Sequence, residues 1–506
     1  MIPVTLLAQA QTSRAITAPP VDWLAVGPEV ALFAAGLVLV LVAALNRGRR
    51  DLSWVYLDVG LAGVAAAGLL TARLWSVVVD RAPYMALEKM VAVDGFSLFA
   101  RMVILVATGL GLLVAQGYLR REHVEGPEYH ALMLFSASGM LLMASANDLI
   151  VVFLALEILS IALYVLAAFD RQRLESLEAG LKYFVLGAFS SAIFLYGVAL
   201  IYGATGTTSL PGIAEFLAQN TLYSSGLLLA GSALLLVGLG FKVAAVPFHM
   251  WTPDVYQGSP TPVTGFMAAG AKAAGFAALL RVFMTAFNTY SGDWKPMVWI
   301  LAVATLLVGS IVALVQEDVK RMLAYSSISH AGYVLMGFQA DSSRGIAGAL
   351  FYLFTYTFMV LGSFAVVTVV GRQGDRRHAL DDYRGLGARQ PLLAGALTLF
   401  LLAQAGVPLT SGFVAKFTVF SATVEAKEYA LAFVGVLTTV IAAFFYLRLI
   451  VLMYMTAPDD EPEGVAAFDL DPATGVALAV AVAATVLFGV LPGAVIDLAR
   501  HATLLF

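Results

Sequence analysis

Residues 234–248 read LLLVGLGFKVAAVPF, an apolar run that contains one lysine, Lys242, and one proline, Pro247. Every residue from 234 to 241 is apolar or glycine, so no polar stripe faces water as it would on a soluble domain. With its flanks, the run is long enough to cross about 30 Å of hydrocarbon. It therefore predicts a membrane-spanning helix that carries a buried charge and is interrupted by the proline.

The composition of the whole chain has the same character. Of its 506 residues, 60% are apolar and 12% are charged, whereas a soluble globular chain has about 25% charged residues. Because lipid cannot satisfy backbone N–H and C=O groups, the apolar runs must be helices, and they are too long for barrel strands. The composition therefore predicts an all-α polytopic membrane protein.

Apolar runs bounded by charged residues, Gly or Pro recur along the chain and number about fourteen. Their approximate limits are 28–46, 56–75, 96–119, 130–146, 148–168, 179–202, 225–247, 261–285, 296–316, 321–339, 345–371, 391–425, 428–455 and 471–497. The sequence Ala-Asn-Asp at 146–148 predicts a very tight turn between the fourth and fifth spans. No connection is long enough to form a hydrophilic domain.

The positions of Lys and Arg predict the orientation, because cytoplasmic loops are enriched in them. One set of loops carries Arg47, Arg49, Arg50, Arg120, Arg121, Arg171, Arg173, Lys320, Arg321, Arg372, Arg376, Arg377, Arg384 and Arg389. The opposite set carries only scattered charges, at Lys89, Lys295, Arg344 and Lys427. The first set is therefore predicted to be cytoplasmic, with both termini outside and the acidic loop at 459–461 inside. Residues 1–25 lack the basic start of a signal peptide and are predicted to be an exposed N-terminal segment.

Several functional classes are disfavoured by the residue inventory. The chain has no cysteine, which excludes disulfides, zinc ribbons and thiolate-bound iron–sulfur clusters within it. Its six histidines show no close ligand spacing, so no metal site is expected. A net charge of -4 and the lack of a basic run give no indication of nucleic-acid binding.

Four ionisable residues fall well inside apolar spans, namely Glu157, Lys242, Lys272 and Lys416. Each costs about 2.5–3.5 kcal/mol at a helix centre, so the four together cost about 10–14 kcal/mol. Structural ion pairs or snorkelling lysines are the alternative explanation. Snorkelling does not fit Glu157 or Lys272, which have roughly eight or more residues of span on either side. We therefore interpret these residues as candidates for ion translocation.

Two of these spans are also predicted to be broken. Pro247 lacks an amide proton and frees a backbone acceptor at Val243, beside Lys242. Pro408, flanked by glycines, similarly disturbs the twelfth span upstream of Lys416. Broken helices at membrane depth are tolerated only where protein or water satisfies the backbone. A simple proline kink is the alternative, but a kink beside a buried lysine occurs here twice.

The two breaks lie in spans 7 and 12, five spans apart, so these spans run in opposite directions. This arrangement is typical of two inverted repeats, spans 4–8 and spans 9–13. The predicted divisions are 1–125 with helices 1–3, 126–290 and 291–457 with the two five-helix repeats, and 458–506 with helix 14.

Other polar residues suggest a hydrated interior. Ser326, Ser327, Ser329 and His330 lie close together in span 10. His330 is either a hydrogen-bonded core histidine or a proton relay. Lys182 stands four residues after Glu178 at the start of span 6, where it either snorkels or takes part in transport.

Several long stretches closely resemble subunit N of bacterial respiratory complex I, the proton-translocating NADH:quinone oxidoreductase. They are ASANDLIVVFLALEILSIALYVLAAF, SLEAGLKYFVLGAFSSAIFLYGVALIYGATG, FKVAAVPFHMWTPDVYQGSPTPVTGFMAAGAKAAGF, QEDVKRMLAYSSISHAGYVLMG and LAQAGVPLTSGFVAKF. The resemblance covers roughly residues 90–455. It implies fourteen helices, inverted repeats and broken helices 7 and 12, in agreement with the spans, breaks and repeats predicted from the residues themselves. It also implies a multi-pass location in the bacterial inner membrane, beside other membrane-arm subunits.

The resemblance implies a role for each buried charge. Glu157 would move toward or away from Lys242, Lys272 would act as the central relay, and Lys416 would exchange protons at the far side. Burial favours a neutral lysine and a nearby carboxylate favours a charged one, so a change in their separation would switch proton binding. The chain would be part of a translocase without a redox centre of its own. NADH, FMN, iron–sulfur clusters and a quinone would be bound by other subunits.

Three alternatives remain open at this point. A multisubunit cation/proton antiporter shares the helical core, and the chain would then exchange sodium. A passive scaffold within an assembly would need none of the buried lysines. A photosynthetic-type relative that accepts electrons from ferredoxin is a close variant of the main interpretation.

Overall fold

A computed structural model describes residues 21–46, 52–220, 225–456, 468–502 and 504. Three predictions fall outside these residues: most of the exposed N-terminal segment (1–20), the basic group at Arg47, Arg49 and Arg50, and the acidic loop at 459–461.

The described residues form a helical bundle with one small hairpin. The helices are α1 (Gly27–Asn46), α2 (Ser53–Arg81), α3 (Gly95–Arg121), α4 (Pro127–Ser145), α5 (Leu149–Ala167), α6 (Leu174–Thr205), α7 (Leu210–Gln219), α8 (Gly226–Val243), α9 (Trp251–Gly258), α10 (Thr261–Ala286), α11 (Ser291–Ala313), α12 (Val319–Gln339), α13 (Ser343–Val370), α14 (Leu386–Arg389), α15 (Pro391–Ala405), α16 (Ser411–Glu425), α17 (Tyr429–Met455), α18 (Pro472–Val490) and α19 (Gly493–His501). Strands β1 (Tyr84–Ala86) and β2 (Val91–Val93) pair antiparallel.

The prediction of an all-α polytopic membrane protein is confirmed. Eleven helices in the described part of the chain are long and apolar enough to cross a membrane. Helices α4 and α12, of 19 and 21 residues, are of similar length but more polar. Helices α15 and α16 are the halves of the interrupted twelfth span. The total of fourteen spans stays a prediction.

The sequence does not predict five short elements: the β1–β2 hairpin and helices α7, α9, α14 and α19. The β1–β2 hairpin turns through Leu87, Glu88 and Lys89, all with positive φ, and its sequence has none of the Gly or Asn residues that usually mark such a turn. Helices α7 and α19 have 10 and 9 residues. They are too short to cross a membrane and were merged with loops or with neighbouring spans.

Two loop pairs repeat the same backbone pattern at opposite ends of the bundle. Asp148 and Ser209 form an antiparallel bridge, and so do Asp318 and Ala379. In each pair the aspartate caps the helix that follows, α5 or α12. The first pair lies beside the hairpin, where the Asn147 side chain donates to the Lys89 carbonyl at 3.1 Å. The second lies at the arginine-rich end, and this agreement between inverted positions is what two inverted repeats would produce.

Candidate functional site

Lys242 lies in the last turn of α8 and is buried, with 5% of its surface exposed. Its Nζ donates to Ser160 Oγ at 3.0 Å and to Tyr183 OH at 3.2 Å. It also stands 5.5 Å from the centroid of the Tyr183 ring. The buried ammonium is therefore held by hydroxyls from α5 and α6, which can both donate and accept a proton.

Glu157 lies one turn before Ser160 on α5 and is half-buried. Within the described residues no ion pair shorter than 4 Å joins its carboxylate to Lys242. One carboxylate oxygen, Oε1, is buried and has no hydrogen-bond partner there. Ser160 is the α5 residue that contacts the lysine, and the pairing of Glu157 with Lys242 stays a prediction. A small movement of α5 would change the separation.

The break after Lys242 is confirmed. Helix α8 ends at Val243, Ala244 adopts a left-handed conformation, and α9 begins at Trp251. The interrupted backbone is satisfied by protein groups: Trp251 Nε1 donates to the Phe241 carbonyl at 3.0 Å, and the Val246 amide donates to Thr305 Oγ1 at 2.9 Å. The first half of the break, residues 242–246, is buried in the protein, whereas Pro247 and Met250 are exposed at the surface of the bundle.

Lys272 lies near the middle of α10 and has 3% of its surface exposed. Its Nζ donates to Ser327 on α12, to the carbonyl at 2.5 Å and to the hydroxyl at 2.6 Å. The turn before it, Met267–Ala271, is a π-helix, a local distortion often found at functional sites. One turn later, Gly275 lies so close to Lys242 that an added Cβ would be 3.3 Å from the Lys242 Cγ. The absence of a side chain lets α8 and α10 bring the two lysines into one region.

His330 lies within a buried polar cluster on α12. Its Nδ1 is 2.6 Å from Tyr352 OH and its Nε2 is 3.2 Å from Tyr446 OH. Tyr446 also contacts Ser326 at 2.5 Å. Both Lys272 and Lys416 act electrostatically on His330. Its position between the two lysines agrees with the relay hypothesis, while its two hydrogen bonds also agree with a structural histidine.

Lys416 lies in α16, beyond the second break, and has 5% of its surface exposed. Its Nζ donates to the Ala405 carbonyl at 3.0 Å, in the last turn of α15. The negative end of the α15 dipole therefore faces the ammonium. The ring of Tyr333 lies below it, with the centroid 4.7 Å from Nζ. The predicted effect of Pro408 is confirmed, because α15 ends at Ala405 and α16 starts at Ser411.

The structure thus brings Lys242, Lys272, His330 and Lys416 into one buried interior, with Glu157 at its edge. Aromatic residues between them were missed by sequence reasoning. Trp251 stacks on Tyr183 with the ring centroids 4.6 Å apart, and its ring centroid lies 6.1 Å from that of Tyr256. Because tyrosine and tryptophan count as apolar in a hydropathy profile, the only available signal was their position beside the buried charges.

Lys182 has a different environment. It is 42% exposed and pairs with Glu178 at 2.7 Å and Asp254 at 2.9 Å. The i, i+4 spacing brings Lys182 into contact with Glu178, and its side chain lies at the arginine-rich end of the bundle, outside the buried row. Lys182 lines a polar cavity of about 660 Å³ at the arginine-rich end of the bundle. Any role of Lys182 in proton transfer is therefore at the entrance to the buried row from that cavity.

A second buried ionic cluster surrounds Asp375, which is fully buried in the loop after α13. Its carboxylate accepts from Arg173 Nη1 at 2.8 Å and from Thr261 Oγ1 at 2.7 Å. Lys320 Nζ lies 3.5 Å away and His378 Nε2 lies 3.0 Å away. The cluster joins the starts of α6, α10 and α12 beside the polar cavity. From the sequence alone, Arg173 and Lys320 are predicted to be loop charges. The carboxylate with which both form ion pairs, that of Asp375, is distant from Arg173 and Lys320 in the sequence.

Burial by itself raises the pKa of the Asp375 carboxyl. The positive charges of Lys320 and Arg173, together with the hydrogen bond to His378, outweigh this effect and hold its pKa well below the usual range. Asp375 is therefore ionised at neutral pH.

The second break makes a testable prediction at Gly412. A Cβ at this position would clash with the Ala403 carbonyl, which belongs to the other half of the interrupted span. Gly412→Ala should therefore separate α15 from α16, displace Lys416 and lower the amount of assembled protein in the membrane several-fold. Gly395→Ala is the matched control, since nothing lies within 4 Å of a Cβ there. Equal amounts of the two variants on native gels would contradict the prediction.

Comparison with known proteins agrees with this geometry. The family described as NADH:quinone oxidoreductase/Mrp antiporter, transmembrane, matches residues 146–442. A NADH-quinone oxidoreductase subunit N from Trichlorobacter lovleyi is 44% identical over 477 residues, covering 94% of this chain and 96% of the relative. The subunit N from Salinispora arenicola is 44% identical over 517 residues, covering 96% of this chain and 98% of that relative.

Two solved structures are similar over most of their length. One chain in respiratory complex I from Thermus thermophilus with bound aureothin is 34% identical and has a TM-score of 0.76. The match covers 94% of this chain and 99% of the Thermus chain. One chain of the Mrp complex from Dietzia sp. DQ12-45-1b has a TM-score of 0.82 at 20% identity. The match covers 95% of this chain and 97% of the Dietzia chain, and at this identity it shows a shared fold alone. The chain belongs to the NADH:quinone oxidoreductase/Mrp antiporter family of membrane proteins. Within that family its curated relatives are the N-type subunits of NADH-quinone oxidoreductase.

Proposed function

We propose that this chain is the antiporter-like, membrane-arm subunit of a proton-translocating NADH:quinone oxidoreductase, and that protons move through its row of buried lysines. The observation that carries the proposal is the burial of Lys242, Lys272 and Lys416, each with 5% of its surface exposed or less, on separate spans. Each ammonium contacts hydroxyl or carbonyl oxygens and has no carboxylate within 4 Å among the described residues. Such a lysine can lose its proton without leaving a buried anion unpaired.

The proposed mechanism is electrostatic. Burial favours the neutral form of each lysine, and a nearby charge of opposite sign favours the protonated form. When α5 brings Glu157 closer, Lys242 gains a proton, and when Glu157 recedes, the proton is released through the hydroxyls of Ser160 and Tyr183. Lys272 then acts as the central relay, and Lys416 exchanges protons at the far side. The hydrogen-bonded residues around His330 support proton transfer between the last two lysines.

The two halves of this path belong to different repeats in the proposal. Residues 126–290 hold Glu157, Lys242 and Lys272, and residues 291–457 hold His330 and Lys416. Residues 1–125 and 458–506 flank them. The repeated loop pairs at Asp148 and Asp318 support this division. Bacterial inner-membrane location, with both termini outside, is part of the same proposal.

Redox chemistry is assigned to other subunits of the complex. The chain has no cysteine, and among the described residues no group of three or more His, Asp or Glu side chains could hold a metal ion. NADH, FMN, iron–sulfur clusters and the quinone would be bound elsewhere, and this chain would couple to that chemistry through its helices.

Replacing Lys242 tests the proposal. Lys242→Arg keeps the positive charge but should lower NADH-driven proton pumping and quinone reduction together, because guanidinium does not release its proton in the usable pH range. Glu157→Ala should lower both as well, since Lys242 would then stay neutral. NADH oxidation and the pH gradient are measured in membranes with verified assembly of the complex. Normal coupled turnover in Lys242→Arg would overturn the mechanism.

The fold similarity to the Mrp complex supports a second candidate, a subunit of a multisubunit cation/proton antiporter. The same membranes distinguish the two functions. Sodium-dependent proton exchange that does not respond to NADH would favour the antiporter, whereas a pH gradient that requires NADH and a quinone favours the first function.

A further inference from the structure

An apolar cavity of about 920 Å³ opens between α1, α4, α5 and α6. Its walls are mostly aliphatic and include Ile161 and Leu181 beside the aromatic rings of Phe135, Tyr164 and Phe184. All four helices belong to this chain, so the cavity exists without any other subunit. A volume of this order is within the range of about 300–1,000 Å³ that is usual for sites of small organic ligands.

Two opposite charges stand at one end of this cavity. Arg171, in the loop between α5 and α6, and Glu128, in the first turn of α4, are both exposed and both line it. Neither side chain has an ion-pair or hydrogen-bond partner among the residues that the structure describes. Arg171 belongs to the arginine-rich end of the bundle, so the charges lie at the membrane surface and the apolar walls lie below them.

The depth of the cavity matches one leaflet of a bilayer. Phe135 lies eight residues beyond the start of α4 at Pro127, and Phe184 lies ten residues beyond the start of α6 at Leu174. At about 1.5 Å per residue, the walls reach about 12–15 Å below the charged end. Half of a hydrocarbon core of about 30 Å is the same distance.

A transmembrane helix does not fit inside the cavity. A helix about 10 Å wide and 30 Å long occupies about 2,400 Å³, which is more than twice the volume of the cavity. An acyl chain from one leaflet fits both the depth and the lining. The adjacent charges indicate the head group, because arginine binds phosphate oxygens and a carboxylate binds an ammonium.

We infer that this cavity binds an aminophospholipid, with its phosphate at Arg171, its ammonium at Glu128 and an acyl chain between α4, α5 and α6. The acyl chain of the lipid would lie against Tyr164, whose ring contacts the ring of Tyr183 edge-on at a centroid distance of 4.8 Å. Tyr183 is a hydrogen-bond partner of Lys242. The lipid would therefore fix the wall of the Lys242 site and restrain α5, the helix that carries Glu157.

The experiment measures lipid retained by the purified, assembled complex. The complex is exchanged into detergent with equal amounts of phosphatidylethanolamine and phosphatidylglycerol, and bound lipid is counted by native mass spectrometry. Wild type should retain phosphatidylethanolamine in preference. Arg171→Ala should lower its retention about tenfold, as expected for the loss of a charge-assisted hydrogen bond, and Glu128→Gln should remove the preference for the amine. Ala131→Phe, which adds a ring to the cavity wall, should lower retention of both lipids.

Gln172→Ala is the matched control, because Gln172 is exposed and adjacent to Arg171 but does not line the cavity. Equal retention in wild type, Arg171→Ala and Ala131→Phe would overturn the inference. Loss of a neighbouring subunit from Arg171→Ala, without loss of lipid, would also overturn it and would assign the cavity to a protein contact. The readout is lipid stoichiometry, so its outcome does not depend on the proposed proton path.

Discussion

Lys272→Ala is expected to lower NADH-driven proton pumping about tenfold or more, with quinone reduction falling in parallel because the two are coupled. Lys272 is the middle member of the buried row, and its ammonium is held by Ser327 on α12. Its removal leaves a gap in the proposed path between Lys242, in the first proposed repeat, and His330 and Lys416, in the second. The measurement is NADH oxidation together with pH-gradient formation in membranes that contain equal amounts of assembled complex.

Lys295→Ala is the matched control for Lys272→Ala. Lys295 is a partly exposed lysine near the start of α11 that pairs with Asp341 at 3.7 Å, and its loss should change neither rate appreciably. Lys272→Arg separates charge from titration, since it keeps a cation but cannot release a proton. Full pumping in both Lys272 variants would show that protons do not pass this position.

The sequence was sufficient to predict the buried charges and the helix breaks. A lysine in an apolar run such as 261–280 costs so much at membrane depth that it stands out without any three-dimensional information. Pro247 and Pro408 interrupt their helices for a local steric reason, and the structure places both breaks where these prolines predict them. Local effects of this kind can be read from one sequence.

The partners of these charges could not be predicted. Lys242 contacts Ser160 and Tyr183, which lie 82 and 59 residues earlier in the chain. Serine and tyrosine are common in membrane helices, and only the packing of α5 and α6 against α8 decides which of them reach the ammonium. The same limit applies to Asp375, which resembles an ordinary loop residue until folding surrounds it with cations.

The carboxylate of Asp375 is expected to stabilise the folded protein through the buried cations around it. Asp375→Ala is expected to lower the stability of the protein by about 3–5 kcal/mol and to prevent most of the complex from assembling. Arg173 and Lys320 would remain buried without the carboxylate that both of them contact. Lys320→Met should be less damaging, because it leaves Asp375 paired with Arg173. The yield of assembled complex and its thermal midpoint in detergent are the measurements.

The pH dependence gives this prediction a second test. The pKa of Asp375 is held well below its usual range, so its stabilising effect is complete above the unfolded value of about 3.9 and is lost only as the pH falls below it. Wild type should therefore be more stable than Asp375→Asn at pH 8 as well as at pH 6. Asp381→Ala, an exposed carboxylate in the same loop that pairs with Arg384, is the matched control and should match wild type. An Asp375→Asn variant as stable as Asp381→Ala would show that the buried cations do not depend on this carboxylate.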